Sequence, residues 1–224
     1  MRRLISSLKK LKQSYPCIWN TIEYINGMLV NLIYGRLLTR SIKSTLGAVD
    51  STYSFRKLCA NDASILLDFI HKQPNDFDLY FKPHAFDLRT FSRILKNGTY
   101  YFVGAFEDNE LVGYCFIRCF INKSAFRGYI VDASYQGRGI AKCMGSIMTE
   151  VCHMAGFRSY ATISRDNIAS LQSQRKYSNV TILKELEDNY LYIEISKLDK
   201  NLVGGGKITN LYFMLQEGLL YAAC

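Results

Sequence analysis

Val131-Asp132-Ala133-Ser134-Tyr135-Gln136-Gly137-Arg138-Gly139-Ile140-Ala141 is the stretch on which the reading of this chain turns. An apolar run with strand character ends there, a turn with two glycines follows, and a long amphipathic segment begins. From Ile140 onward, Cys143, Met144, Ile147, Met148, Val151 and Cys152 recur at helical spacing, which sets the helix start near residues 137–139. The first turn of a helix leaves backbone N–H groups unpaired and carries partial positive charge. Glycines let that backbone approach a ligand closely, and the physical product is a cradle for a pyrophosphate. The spacing is neither GxxxxGK[ST] nor GxGxxG. A plain strand-to-helix connection would use the same residue types, so the turn alone leaves both readings open.

Outward from this turn the pattern alternates between strands and helices. Residues 52–58 alternate Tyr53 and Phe55 with smaller or polar neighbours, as a first strand does. Asn61, Asp62 and Ser64 offer N-cap chemistry for a helix carrying Leu66, Phe69 and Ile70. Residues 73–85 read as loop, and a second helix is expected over 87–95. Residues 99–106 and 111–120 are rich in aromatic and β-branched side chains and flank the polar Glu107-Asp108-Asn109-Glu110, so they predict a hairpin. A strand over 126–133, a helix over 138–155, a strand over 158–164 and a helix over 167–177 follow. A closing strand pair is expected over 180–186 and 190–195.

Gln136-Gly137-Arg138-Gly139-Ile140-Ala141 resembles the Q/R-x-x-G-x-G/A signature of the GNAT superfamily of N-acetyltransferases, and Asn167-Ile168-Ala169-Ser170 resembles that family's second motif. Val131 falls where the family has the valine of its splayed central strand. The order of elements from 52 to 196 is similar to the family topology. The resemblance implies an α/β (α+β) fold, a twisted and mostly antiparallel sheet with splayed central strands and flanking helices. It also implies acetyl-coenzyme A as cosubstrate, with no metal. The N–H groups of Gly137, Arg138, Gly139, Ile140 and Ala141 would hold the pyrophosphate, Gln136 would belong to the same cofactor site, and the strand edge at Ile130 and Val131 would bond the pantetheine amides as an added strand does. Asn167 would contact the pantetheine arm or cap its own helix. Arg138 would meet the adenosine phosphate or point into water.

The catalytic positions depart from the family pattern. A Glu often stands on the strand before the second motif and a Tyr seven residues after its Asn; here those positions hold Thr162 and Gln174. Tyr177, about one helical turn beyond Gln174, is a candidate for the same side, with core packing as its alternative. Asp132, beside the strand splay, is a candidate base unless alternation turns it away. His84 lies in an aromatic-rich segment where the family builds its acceptor site, and a hydrogen-bonded loop histidine is the bland alternative. Cys143 and Cys152 lie on the apolar helix face and suit inert core thiols. His71, His84 and His153 are too widely spaced to suggest a zinc site.

Composition sets the outer limits. With 49% apolar residues in 224, the chain can bury a substantial core. In residues 1–50 eight Lys or Arg stand against Glu23 and Asp50, a net +6 of the chain's +9. The expected organisation is a basic helical extension over 1–50, an acetyltransferase domain over 51–198 and a C-terminal extension over 199–224. In the first part Leu4, Leu8 and Leu11 share one helical face, Pro16 interrupts, and Ile18, Ile22, Ile25, Leu29, Leu32 and Ile33 form a second stripe, expected to pack on the body. Seven scattered Cys, none in a CxxC pair, fit buried thiols in a reducing, cytoplasmic setting.

The expected function is acetyl transfer to a primary amine of a small molecule such as an amino sugar, with no nucleic-acid partner. A homo-oligomer and a peripheral membrane contact through residues 1–40 stay open. Two alternatives belong to other classes: a non-catalytic coenzyme A-binding sensor or scaffold, and a membrane-surface or nucleic-acid partner acting through the basic N-terminus.

Overall fold

The computed structural model describes residues 14, 16–81 and 83–198. The expected helix over 2–15 and the expected C-terminal segment beyond the Gly204-Gly205-Gly206 run therefore lie outside the described residues. Seven strands form one sheet in the order β1-β2-β3-β4-β5-β7-β6. They are β1 (Ser54–Lys57), β2 (Tyr100–Glu107), β3 (Glu110–Cys119), β4 (Ser124–Val131), β5 (Arg158–Ser164), β6 (Asn179–Glu185) and β7 (Tyr190–Ser196). The helices are α1 (Pro16–Gly47), α2 (Ala63–His71), α3 (Leu88–Lys96), α4 (Ile140–Ala155) and α5 (Ile168–Tyr177). Every neighbouring strand pair is antiparallel except β4 with β5.

The β2–β3 hairpin forms as its sequence predicts. Asp108 and Asn109 take φ of 47° and 67°, the doubly left-handed geometry of a two-residue type I′ turn, which Asp and Asn tolerate better than other side chains. Both faces of this hairpin are covered. Tyr101, Val103, Ala105 and Ile117 pack with α1 and α4, while Phe102, Phe106, Tyr114 and Phe116 pack with α2 and α3. That two-sided burial accounts for the nearly unbroken apolar run of β3.

Helix α4 buries Ile140, Met144, Ile147, Met148, Val151 and Cys152, the face read from the sequence, though Cys143 on its flank is only half-buried. Each fully buried aliphatic side chain contributes roughly 1.5–3 kcal/mol. The helix ends at Gly156, whose φ of 69° forms a left-handed C-cap. Cys115, Cys119 and Cys152 are buried, and burial pushes the Cys115 thiol up to about 12 and the Cys152 thiol to about 11. Cys59 is exposed.

The stripe expected to dock α1 is corrected. Ile18, Ile22, Ile25, Leu32 and Ile33 are exposed. The body is met instead by the opposite face, through Val30, Leu38 and Ile42, with Tyr34 partly buried beside them. Two features select that face. Gly27 passes so close to Asn97 and Gly98 that a Cβ at either glycine would overlap the other segment. Glu23 also reaches Arg118 at 2.8 Å, and that guanidinium lies against the rings of Tyr100 and Phe120.

Candidate active site

Strands β4 and β5 run side by side for only three residue pairs, Ser124 with Arg158, Ala125 with Ser159 and Phe126 with Tyr160. Beyond them the strands part. Strand β4 stays paired to β3 as far as Val131, and β5 stays paired to β7 as far as Ser164. Their facing edges from Arg127 and Ala161 onward have no strand between them, so the backbone groups of that fork are free to pair with an extended ligand. A cavity of about 700 Å³ occupies the fork, lined by residues 127–131 of β4 and 161–164 of β5.

At one end of this cavity is the glycine turn. Gly137 and Gly139 take φ of 77° and 85°, the left-handed region that side chains rarely adopt, and no atom lies within 4 Å of where a Cβ would stand. Gly139 is the N-cap of α4. The turn is therefore an open, positively polarised backbone cradle of the kind that suits an anion such as a pyrophosphate. Ile130, Val131, Gln136, Gly137, Gly139, Ile140, Ala141 and Asn167 all line the cavity. Arg138 does not; its guanidinium lies over the Tyr135 ring at 4.6 Å. Asn167 caps α5 by accepting a hydrogen bond from the Ser170 N–H at 3.1 Å, and it still borders the cavity.

The fork end is built from side chains. Thr162 and Gln174 both line it. Gln174 is buried, and its Oε1 accepts a hydrogen bond from Arg127 Nη2 at 2.8 Å. Arg127 Nη1 donates to Thr149 Oγ1 at 2.7 Å. Only 2% of Arg127 is exposed, and among the described residues no carboxylate pairs with it. Burial lowers its pKa from the ordinary value, although a guanidinium stays charged throughout the working range. A charged residue inside the apolar run Ser124–Val131 was the available signal for this network, and the motif reading passed over it. Phe77, Tyr80 and Phe81 line the same cavity.

None of the three candidate catalytic side chains read from the sequence lines the cavity. Tyr177 packs on α4 where Gly145 leaves room for its ring, and a Cβ at Gly145 would overlap it. Burial pushes its phenol far above the ordinary value, with Tyr129 adding to the shift. Asp132 is spent on structure: Oδ1 accepts from the Ser134 N–H at 2.8 Å and Oδ2 from Gln73 Nε2 at 3.0 Å. Its burial opposes ionisation, but the Ser134 and Gln73 hydrogen bonds and Lys72 outweigh it and lower the pKa. His84 sits in an aromatic box with Phe86, Phe91, Phe102 and Phe116. Burial drives its pKa down to about 4, and the Nδ1–H donates to the Ala85 carbonyl at 3.0 Å. It is a neutral packing residue.

Residues 67–177 match the Acetyltransferase (GNAT) family, a span that holds the fork, the glycine turn and both motifs. Residues 67–177 are thus a GNAT acetyltransferase domain, and that domain carries the reaction class, acetyl-coenzyme A-dependent N-acetyl transfer. Among solved structures the GNAT domain of S. lividans PAT is similar at 16% identity and TM-score 0.56, over 63% of this chain and 89% of that one. The PaiA N-acetyltransferase of Thermoplasma acidophilum, in complex with coenzyme A, is similar at 15% identity and TM-score 0.53, over 65% and 99%. AAC(6')-Ib in complex with paromomycin and acetyl-coenzyme A is similar at 12% identity and TM-score 0.53, over 66% and 94%. No curated protein matches the sequence significantly.

Proposed function

We propose that this GNAT protein acetylates the primary amine of a small molecule that carries a sugar-like or other flat-faced ring. The observation behind it is the continuity of one cavity, from the Gly137/Gly139 turn through the β4–β5 fork to Phe77, Tyr80 and Phe81. Coenzyme A enters along the fork with its pyrophosphate on the N–H groups of residues 137–141 and its pantetheine against Ile130 and Val131. The thioester then lies toward Arg127, Thr162 and Gln174. The acceptor comes in from the aromatic side, where Tyr80 and Phe81 offer ring faces for stacking.

The amine nitrogen attacks the thioester carbonyl, the new C–N bond forms as the C–S bond breaks, and the proton lost by nitrogen ends on sulphur. No Asp, Glu or His lines the cavity among the described residues. Hence no side chain there serves as a strong base, and the amine reacts once it is neutral, with proximity supplying much of the rate. The log of kcat/KM for a good acceptor should therefore rise with pH and level off at that acceptor's own amine pKa. A lining without carboxylates also disfavours polycationic acceptors, whose charge would go unpaired.

The test is steady-state thiol release with acetyl-coenzyme A and a panel of neutral amino sugars, aromatic amines and polyamines. Turnover confined to ring-bearing monoamines supports the proposal. Tight coenzyme A binding by calorimetry, with no amine raising thiol release above hydrolysis, replaces it with the non-catalytic sensor.

A further inference from the structure

The outward face of α1 is the largest feature that acetyl transfer leaves unused. Eight large apolar side chains on this one helix are exposed: Ile18, Ile22, Tyr24, Ile25, Met28, Leu32, Ile33 and Leu37, with Leu32 at 80%. Ile18, Ile22, Ile25, Leu29 and Leu32 follow one another at steps of four and three, so they form a single stripe. The opposite face is occupied by α4 and the sheet through Val30, Leu38 and Ile42, so the stripe is not the helix's own route into the core. Leaving it in water is costly, and patches of this kind mark contact surfaces.

Charge says what kind of surface it meets. Beyond Leu32 the same azimuth carries Arg36, Arg40 and Lys43, all exposed. The first twelve residues add Arg2, Arg3, Lys9, Lys10 and Lys12. Glu23, the one acidic residue before Asp50, is turned to the body and paired with Arg118. We propose that the solvent face of α1 lies flat on an anionic lipid surface, its apolar half in the acyl boundary and its basic half among the headgroups. A helix that adds an apolar stripe to cationic flanks binds membranes in this way. Among the described residues no helix is long and apolar enough to cross a membrane, so the contact is interfacial. A second copy of the chain docked in parallel fits less well. In a parallel pair the continuing stripe would set Arg36 against Arg36 and Lys43 against Lys43, and like charges in a seam repel.

The experiment uses the full chain with phosphatidylcholine vesicles, with and without phosphatidylglycerol, read by co-sedimentation at low and high salt. The native protein should partition onto the anionic vesicles, and more weakly as salt rises. Ile25→Ser with Leu32→Ser, which keeps every charge, should weaken partition on the order of a hundredfold. Arg36→Gln, Arg40→Gln and Lys43→Gln together should weaken it about a hundredfold on anionic vesicles and leave it unchanged on phosphatidylcholine. Calorimetric coenzyme A affinity equal to the native value establishes that both variants are folded. The proposal is overturned if the native protein does not bind anionic vesicles, or if the Ile25/Leu32 variant binds them as well as the native protein does. It is overturned as well if sedimentation finds a native dimer that the Ile25/Leu32 variant converts to monomer, since the stripe would then be a subunit seam.

Discussion

The two ends of the cavity are built on different principles. At the glycine turn the cavity wall is main chain: Gly137 and Gly139 hold left-handed φ with open space where side chains would stand, and the N–H groups belong to the start of α4. At the fork the surface is made by side chains from separate elements, Arg127 of β4, Thr162 of β5 and Gln174 of α5, with Thr149 of α4 behind them. A main-chain site is encoded locally, by residues that permit one backbone path. A side-chain site is encoded by the packing that brings distant positions together. The first tolerates change in its neighbours and fails at one or two glycines; the second fails by degrees.

The largest effect should come from Gly139→Glu, which forces a side chain into φ of 85° and sets a carboxylate against the phosphates. Calorimetry should find coenzyme A affinity lowered by at least about a hundredfold in a protein whose circular dichroism is native. Retained affinity would rule out the turn as the anion site.

Acid pH separates the ends next. His84 braces the 77–86 segment that forms the aromatic mouth, and its pKa is about 4 against 6.5 in the unfolded chain. Between those values the unfolded chain takes up a proton that the folded one refuses, so stability is complete above pH 6.5 and is lost as pH falls through that window. About 3 kcal/mol should be gone by pH 4, read by urea unfolding, and His84→Phe should remove that part of the slope. At pH 5 the native protein should hold coenzyme A while the KM for the acceptor rises.

Gln174→Leu takes one partner from the buried Arg127 guanidinium and should cost about 2–3 kcal/mol of unfolding free energy. Adding Arg127→Met removes the stranded charge and should recover most of that loss, a coupling that only contacting residues display. Neither variant should move coenzyme A affinity by more than about threefold, because the cradle is main chain. Asn167→Ala gives the smallest effect, about 1 kcal/mol of stability, with coenzyme A affinity changed less than in Gly139→Glu. A larger affinity loss than stability loss would make Asn167 a direct contact with the ligand.

Much of the fold could be read because local physics repeated itself. The Asp108–Asn109 turn and the α4 face from Ile140 to Cys152 each depend on residues close together in the chain. Of the nine positions that the family resemblance assigns to coenzyme A, eight line the cavity, because they too are close neighbours in the chain. The catalytic candidates were not legible in this way. Tyr177 has the right helical phase to approach the fork, yet Gly145, thirty-two residues away in sequence, offers its ring a better place. Asp132 and His84 have suitable chemistry, but a neighbouring Ser134 N–H and a cage of aromatic rings commit them to structure.

Helix α1 marks the boundary most sharply. Its sequence is apolar on two faces, so periodicity announces a helix and does not say which face turns inward. That choice is made where Gly27 meets Gly98, where Glu23 meets Arg118 and where Val30 and Leu38 meet the core, contacts between residues far apart in the chain. The alternation of strands and helices, the glycine turn and the family signature over it are each written in neighbouring residues. Packing between distant elements sets which side chains reach the cavity, which cation has no carboxylate partner among the described residues and which stripe of α1 is left for another surface. Those outcomes depend on close packing between elements, and close packing is settled by the whole chain at once.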